Sequence, residues 1–157
     1  MSVCCFTGHR ELPQEAADGL RDRLEQTITH LISQGVTEFR AGGALGFDTV
    51  AALAVLEQRE KYPHIRLVLM LPCADQDKSW GAADRRRYQS IKQAADEVNV
   101  LAEHYYRGCM FVRNRALVDG SEYCVCFQCH PGGGTQMTVD YAGKKGLKII
   151  NVGGKTV

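Results

Sequence analysis

The chain has 157 residues and a mass of 17.4 kDa, about the size of one ordinary domain. Hydrophobic residues make up 45% of the sequence and charged residues 24%, with only four prolines, so collagen-like and disordered classes are excluded. The net charge of +1 provides no general attraction to a polyanion and disfavours nucleic acid as a partner. We predict a single domain over residues 1–157.

Cysteine usage and hydropathy indicate the compartment. There are seven cysteines, an odd number that does not suit a fully paired disulfide framework, and residues 1–6 lack the pattern of a secretory signal. The apolar stretch at residues 67–71 has about a quarter of the length of a membrane span. We therefore expect a cytoplasmic protein with reduced thiols and no membrane segment.

Six short runs rich in β-forming residues recur at even spacing, and helical patterns fill the gaps between them. The runs lie at residues 3–7, 37–41, 65–71, 98–102, 123–127 and 147–152. They are apolar stretches instead of alternating patterns, which is typical of parallel strands covered on both faces. The prediction is an α/β fold: a Rossmann-like, doubly wound, mostly parallel sheet with helices on both faces.

The helical segments differ in how much of their surface is apolar. Single apolar faces are formed by Leu20, Leu24, Ile28, Leu31 and Ile32 in the first gap, and by Tyr88, Ile91, Ala95 and Val98 in the third. In the second gap, residues 50–56 are apolar on every side, which predicts a helix buried at a central or oligomeric position. A homodimer is the expected assembly, and a last helix is predicted over residues 137–145.

The turn after the first run has a composition that suits an anion. In parallel sheets of this class the ligand crevice lies at the carboxyl ends of the strands, and there the chain reads Thr7-Gly8-His9-Arg10. The glycine allows a sharp turn, and a titratable ring and a fixed cation follow it. The alternative is that Gly8 only ends the strand while His9 and Arg10 are solvated.

A second glycine-rich turn follows the second run and leads into the apolar helix. It contains Gly42, Gly43 and Gly46 in a G-G-x-x-G pattern, which lets backbone amides approach a phosphate at a helix N-terminus. The pattern is not G-x-G-x-x-G, so a standard NAD dehydrogenase is disfavoured. Asp48, in the first helical turn, either caps backbone amides or holds a ribose hydroxyl.

A third glycine-rich turn follows the fifth run. Gly132, Gly133 and Gly134 are consecutive and lead through Thr135 into the last predicted helix. Because consecutive glycines cost conformational entropy on folding, the segment must need unusual dihedral angles or a close backbone approach. A phosphate cradle capped by the Thr135 hydroxyl meets both needs, whereas a plain turn needs one glycine.

These motifs, taken together and in order, resemble the SLOG superfamily, a Rossmann-like group that includes DprA and the LOG cytokinin-activating phosphoribohydrolases. Within it the chain is most similar to the YpsA-like family. The residues that carry the likeness are Thr7 to Arg10, the loop 42–48, Pro72, Gln76, Lys78, Trp80, Tyr88, Arg113, Asn114 and the glycines 132–134. The resemblance implies a pocket for a nucleotide-derived molecule between the loops after strands one, two and five.

The LOG enzymes give a sharper comparison for catalysis. Their M-H-x-R-K motif places Arg113 on the catalytic arginine, but Thr138 stands where P-G-G-x-G-T-x-x-E has its glutamate. A threonine hydroxyl cannot activate water or stabilise an oxocarbenium-like charge as a carboxylate does, and Asp140 lies on another side of the helix. Glu11, Asp48 or Glu103 are the other carboxylates considered, so the catalytic set stays unassigned, with Arg113 the candidate.

Two further patterns have a structural and a functional interpretation. Cys126, Cys129 and His130 match the C-x-x-C-H haem motif, and with Cys124 they offer four zinc ligands. We assign no metal, because Cys124 and Cys126 share a strand face and suit the core. Trp80, in the loop after the third strand, either stacks on a base or packs that loop against the domain.

The leading hypothesis is a protein that binds a phosphorylated nucleoside derivative, related to NAD or ADP-ribose, as a sensor or ligand-controlled module. Residues 7–10, 42–46 and 132–135 would hold phosphate and ribose, and Arg113 would neutralise charge. The alternatives are a LOG-like hydrolase that cleaves an N-glycosidic bond and DprA-like binding of single-stranded DNA. No cofactor is assigned beyond the nucleotide-type ligand.

Overall fold

All six strands pair in parallel in the computed structural model, which describes residues 2–153. The strands are β1 (Ser2–Gly8), β2 (Val36–Ala41), β3 (Arg66–Leu71), β4 (Glu97–Val100), β5 (Tyr123–Phe127) and β6 (Lys148–Asn151). The helices are α1 (Gln14–Ala17), α2 (Leu20–Ser33), α3 (Phe47–Lys61), α4 (Ala82–Ala94), α5 (Cys109–Val118) and α6 (Gly133–Lys144). The predicted fold class is confirmed.

The order of the strands places a switch point beside β1. Along the sheet the order is β4-β3-β2-β1-β5-β6, so the chain builds outward from β1 in one direction and then crosses over to add β5 on the other side. The register pairs Cys5 with Cys124 and Gly8 with Phe127. The carboxyl ends of β1 and β5 therefore lie side by side, where ligands bind in open α/β sheets.

The sheet is covered on both faces, and alternate residues of β5 show the division. Val125 and Phe127 belong to the core formed with α2, α3 and α4, whereas Cys124 and Cys126 belong to a smaller core with α5 and α6. All four side chains are at most 1% exposed. Small thiols thus fill part of the smaller core, because cysteine packs as a compact apolar residue.

The strands are found within about two residues of their predicted positions, and the helices differ more. Helix α6 begins at Gly133, four residues before the predicted start, because Gly133, Gly134 and Thr135 form its first turn. Helix α4 ends at Ala94, so Val98 lies in strand β4 and not on a helical face. The short helix α1 was not predicted.

The apolar segment 50–56 forms the middle of α3, but the helix is not enclosed on every side within this chain. Ala51, Ala52 and Val55 are buried, whereas Leu53 is 43% exposed. Homodimer formation stays a prediction.

The single domain was predicted over residues 1–157, of which Met1 and residues 154–157 lie outside the described part. None of the helices that the structure describes combines the length and apolarity that crossing a bilayer requires.

The contact between Gly8 and Phe47 joins the end of β1 to the start of α3. A Cβ atom on Gly8 would lie 2.5 Å from Cδ2 of Phe47. The Phe47 side chain is fully buried, and its ring lies 6.2 Å from that of Phe6 and 5.8 Å from that of Phe127, centroid to centroid. The absence of a side chain at position 8 therefore lets α3 start directly beneath the switch point.

Gly8→Ala is expected to lower the free energy of unfolding by about 1–3 kcal/mol, because the added methyl group overpacks the Phe47 ring. Gly81→Ala is the matched control, since a Cβ there meets nothing within 4 Å and its φ of −65° suits alanine. Urea unfolding of both variants measures the difference. Equal midpoints for the two variants would mean that Phe47 moves aside at no cost.

Candidate functional site

A cleft of about 600 Å³ opens at the switch point between β1 and β5. It is lined by the segment that ends β1, the start of α6 and one face of α5. The lining residues are residues 6–11, Ala44, Asp48, Met110, Arg113, Asn114, Leu117 and residues 130–135. Ten of the predicted site residues lie there: Thr7, Gly8, His9, Arg10, Asp48, Arg113, Gly132, Gly133, Gly134 and Thr135.

His9 is held in place from the β5 side of the cleft. Its Nε2 atom accepts a hydrogen bond of 3.1 Å from the backbone N–H of Cys129, and its ring stacks on the ring of His130 at 3.9 Å. Burial, and then the proximity of His130, lowers the pKa of His9 from its ordinary value. His9 is therefore a neutral ring packed into the cleft wall, while Arg10 beside it is exposed.

The start of α6 presents its backbone to the cleft. Gly132 and Gly133 have φ values of 91° and 75°, and a Cβ atom on either would meet nothing within 4 Å. No side chain makes a hydrogen bond that caps this helix, so its first N–H groups are available to an acceptor outside the chain. Thr135 lies inside the first turn, 7% exposed, and lines the cleft; the contact of its hydroxyl with a phosphate stays a prediction.

Two buried groups of opposite charge form the floor of the cleft. Arg113 donates from Nη1 to the carbonyl oxygen of Gly42 and from Nε to Asn114 Oδ1, at 2.9 Å. Asp48 Oδ2 accepts the backbone N–H of Ala44 at 3.1 Å, which corresponds to the first of the two roles considered for it; a contact with a ribose hydroxyl stays a prediction. Burial raises the pKa of Asp48 and nearby Arg113 opposes this, whereas burial lowers the pKa of Arg113.

Three glycines that were predicted to contact the ligand do not line the cleft but pack against residues that do or against their neighbours. A Cβ on Gly42 would lie 2.5 Å from Nη1 of Arg113, and one on Gly43 would lie 2.6 Å from Leu71 Cδ2. Gly46, with a φ of 81°, packs against the carbonyl group of Arg10. Each of these glycines permits a close approach between protein segments.

Trp80 also lies away from the lining. Its ring contacts that of Tyr88 edge-on, with centroids 5.0 Å apart. This contact agrees with the interpretation that Trp80 packs its loop against the domain.

The candidate catalytic groups are separated by the fold. The Thr138 hydroxyl donates to the carbonyl oxygen of Gly134 at 2.8 Å, so it serves helix α6. Glu11 and Asp48 line the cleft, whereas Glu103 is an exposed residue between β4 and α5. Of the three carboxylates considered from the sequence, two are therefore placed where they can reach a ligand.

The four proposed zinc ligands do not come together. Cys124 and Cys126 are buried in the core beneath α5 and α6, and burial raises the pKa of Cys126 to about 11. Cys129 and His130 instead lie beside His9, within 4.8 Å between ligand atoms. The burial of Cys126 favours the structural interpretation of the C-x-x-C-H pattern, because its thiol packs in the core.

Sequence reasoning did not assign Met110, Asn114 and Leu117 to the cleft, although Asn114 was part of the resemblance. With Arg113, these residues follow the spacing i, i+3, i+4, i+7 of one helical face. Once Arg113 is placed at the site, the periodicity of α5 identifies the others. Asn114 also borders a second cleft of about 650 Å³ between α5 and α6, which Phe111 and Met137 line.

The parallel sheet, the cleft at its switch point and the glycine-rich start of α6 define a Rossmann-like α/β domain. The profile of the YspA SLOG family matches residues 5–149, and the chain belongs to this family. The resemblance inferred from the sequence motifs is confirmed.

Relatives and solved structures agree with this assignment. A UPF0398 protein of Halalkalibacterium halodurans is 34% identical over 105 residues, covering 66% of this chain and 56% of the relative. The SPbeta prophage-derived protein YoqJ of Bacillus subtilis is 32% identical over 138 residues, covering 80% of this chain and 81% of the relative. This chain thus spans little more than half the length of the first relative.

Two structures of DNA processing protein A have a similar fold. The protein from Streptococcus pneumoniae superposes with a TM-score of 0.71 at 16% identity, covering 96% of this chain and 50% of that one. The protein from Helicobacter pylori, described for its single-stranded DNA binding mode, gives 0.67 at 18% identity, covering 96% and 64%. At these identities the likeness establishes the fold alone.

Asp48→Asn tests the electrostatics of the cleft floor. Because burial raises the pKa of Asp48 above 3.8, the folded state holds this proton more tightly than the unfolded state, and the Asp48 contribution to stability falls as the pH rises through the raised pKa. We expect the stability of the unmodified protein, relative to Asp48→Asn, to decline as the pH is raised from the ordinary carboxyl range near about pH 4 towards neutrality. Urea unfolding across this range measures it. A relative stability that rises instead would mean that Arg113 outweighs the cost of burial.

Proposed function

We propose that this domain binds a phosphorylated nucleoside derivative in the switch-point cleft and acts as a ligand sensor or ligand-controlled module. The observation that carries the proposal is the start of α6, where two glycines with positive φ leave uncapped N–H groups facing the same cleft as buried Arg113. Backbone donors at a helix N-terminus and a guanidinium group together form an anion-binding arrangement.

The size and polarity of the cleft favour a nucleotide over a bare anion. A volume of about 600 Å³ falls within the range of small-molecule sites, which is about 300–1,000 Å³. Asp48 and Asn114 contribute polar oxygen and amide groups near the floor, suitable for hydroxyl groups of a sugar. In this arrangement residues 132–135 hold phosphate, while Gly42 and Gly46 act indirectly by letting Arg113 and the β1 loop approach.

The first test is a thermal-shift screen of the protein against mononucleotides, dinucleotides and ADP-ribose derivatives. A ligand that binds only the native state at about 100 times its Kd stabilises that state by about 2.7 kcal/mol, which raises the melting temperature by several degrees. Gly133→Asp is expected to abolish this rise, because it places a carboxylate where the phosphate binds.

Gly146→Asp is the matched control for that variant. Gly146 has a φ of 81°, close to the 75° of Gly133, and at both positions a Cβ would meet nothing within 4 Å. It lies beyond the other end of α6, so the backbone strain is similar but the cleft is unchanged. A rise lost equally in both variants, or absent with every compound, would contradict the proposal.

A LOG-like hydrolase is the second candidate, and the observation that favours it is the placement of buried Asp48 in the same cleft as Arg113. Cleavage of an N-glycosidic bond would need such a carboxylate, because Thr138 is occupied within α6. Analysis of the ligands for release of free base after incubation with the protein tests for turnover.

Arg113→Ala is expected to weaken ligand binding at least about tenfold, since hydrogen bonds to a charged group contribute about 1.5–3 kcal/mol. Arg115→Ala is the control: the charge is lost from the same helix, but Arg115 is exposed and lies outside the lining of this cleft. Calorimetric titration measures both affinities. Equal affinities in the two variants would remove Arg113 from the binding site.

Single-stranded DNA is a further candidate because the Helicobacter pylori neighbour is described as binding it. A phosphodiester would use the same backbone donors as a nucleotide. Including an oligonucleotide in the screen separates the two, because DNA binding weakens steeply with salt concentration while a single nucleotide shows a shallower dependence.

A further inference from the structure

We propose that His9, Cys129 and His130 form a binding site for a borderline-soft divalent cation such as Zn²⁺ at the rim of the switch-point cleft. The three residues come from the ends of two neighbouring strands. Because Gly8 pairs with Phe127 in the sheet, the residues that follow each strand are brought together despite their separation along the chain. The ligand atoms of all three lie within 4.8 Å of one another.

The donor set matches zinc chemistry. Imidazole nitrogen and thiolate sulfur are the usual zinc ligands, whereas Mg²⁺ and Ca²⁺ prefer oxygen. Cys129 is half-buried, while the other six cysteines of the chain are buried. Its thiol is therefore the cysteine sulfur that an incoming cation can reach without opening the core.

The hydrogen bonds of the two rings indicate which nitrogen of each ring carries a lone pair. His130 Nδ1 lies 3.1 Å from the carbonyl oxygen of Pro131, and since a carbonyl group only accepts, this nitrogen carries the proton. In the neutral ring the Nε2 atom of His130 then carries the lone pair that a metal ion would use. His9 Nε2 already accepts a hydrogen bond and is likewise unprotonated.

Metal binding requires one histidine ring to rotate and both rings to give up a contact with the backbone. The two rings are parallel within 3° and 3.9 Å apart, and a cation must lie near the plane of each ring that binds it, so one ring must turn. His130 is exposed and is followed by Pro131 and Gly132, whereas His9 packs edge-on against Phe127. His130 is therefore the ring that turns, and in turning it gives up the contact of its Nδ1 with the Pro131 carbonyl group. The Cys129 N–H bond to His9 Nε2 is exchanged for the metal bond.

Three protein ligands leave one position of a tetrahedral zinc ion for another donor. His9 and His130 both belong to the lining of the cleft that contains residues 132–135. The fourth position is therefore accessible from the cleft, to water or to an oxygen atom of a bound anion. The metal site can exist without the nucleotide, and it does not rest on the proposed function.

The test uses the full chain, freed of metal by a chelator that is then removed, with Zn²⁺ in calorimetry and Co²⁺ in absorption spectroscopy. We expect one equivalent of either cation to bind and Co²⁺ to give the charge-transfer absorption of a thiolate ligand. Cys129→Ser should abolish that absorption, and His9→Gln and His130→Ala should each weaken binding by more than about tenfold, the smallest loss usual even for a supporting partner.

The control variants are Cys73→Ser and His104→Ala, which alter a thiol and an imidazole that both lie near Asp75 and away from this cluster. They should bind Co²⁺ like the unmodified chain. The proposal is overturned if binding is weak and without fixed stoichiometry, if the thiolate absorption survives Cys129→Ser, or if the control variants lose it. Nucleotide thermal shifts repeated with chelator present report on the glycine-rich cleft separately, so the two proposals can fail independently.

Discussion

The close packing of the β1 end against the start of α3 is the constraint on which the rest of the site depends. Gly8 allows the Phe47 ring to lie against the strand, and Gly46 allows the helix to meet the carbonyl group of Arg10. The Phe47 N–H then donates to the His9 carbonyl oxygen at 3.1 Å. This contact holds the β1 loop at the switch point and carries Asp48, the next residue of the helix, to the cleft floor.

The same contact separates two helix starts that look alike in sequence. Both α3 and α6 follow a glycine-rich turn, and both were predicted to bind phosphate through backbone amides. At α3, the His9 carbonyl oxygen accepts from the Phe47 N–H, and the Asp48 carboxylate accepts from Ala44 in the turn before the helix. Neither helix has a side-chain cap, but open space surrounds Gly132 and Gly133 at the start of α6, so an outside acceptor has room there.

The fold could be predicted from the sequence because its signals are local. An apolar run such as residues 123–127 identifies a buried parallel strand, and a single apolar face such as that of α2 identifies a covering helix. Element ends were predicted less well where glycine is ambiguous: residues 133–135 have the composition of a turn but form helix. Segment 50–56 shows another limit, since composition alone does not show which side of a helix faces the sheet.

Only the part of the site that is formed by residues at the carboxyl ends of the strands could be predicted from the sequence. Residues directly after β1 and β5 meet because parallel strands end at one edge, so His9 and the glycines 132–134 were placed correctly in one cleft. Whether such a residue lines the cleft or packs against other parts of the protein depends on tertiary contacts that cannot be derived from the sequence. Gly42 and Trp80 were predicted to bind the ligand, but both pack against protein groups. The pairing of His9 with Cys129 also needed the register of the sheet. Cys129 was grouped with Cys124 by spacing along the chain, whereas strand pairing brings it to a residue 120 positions away.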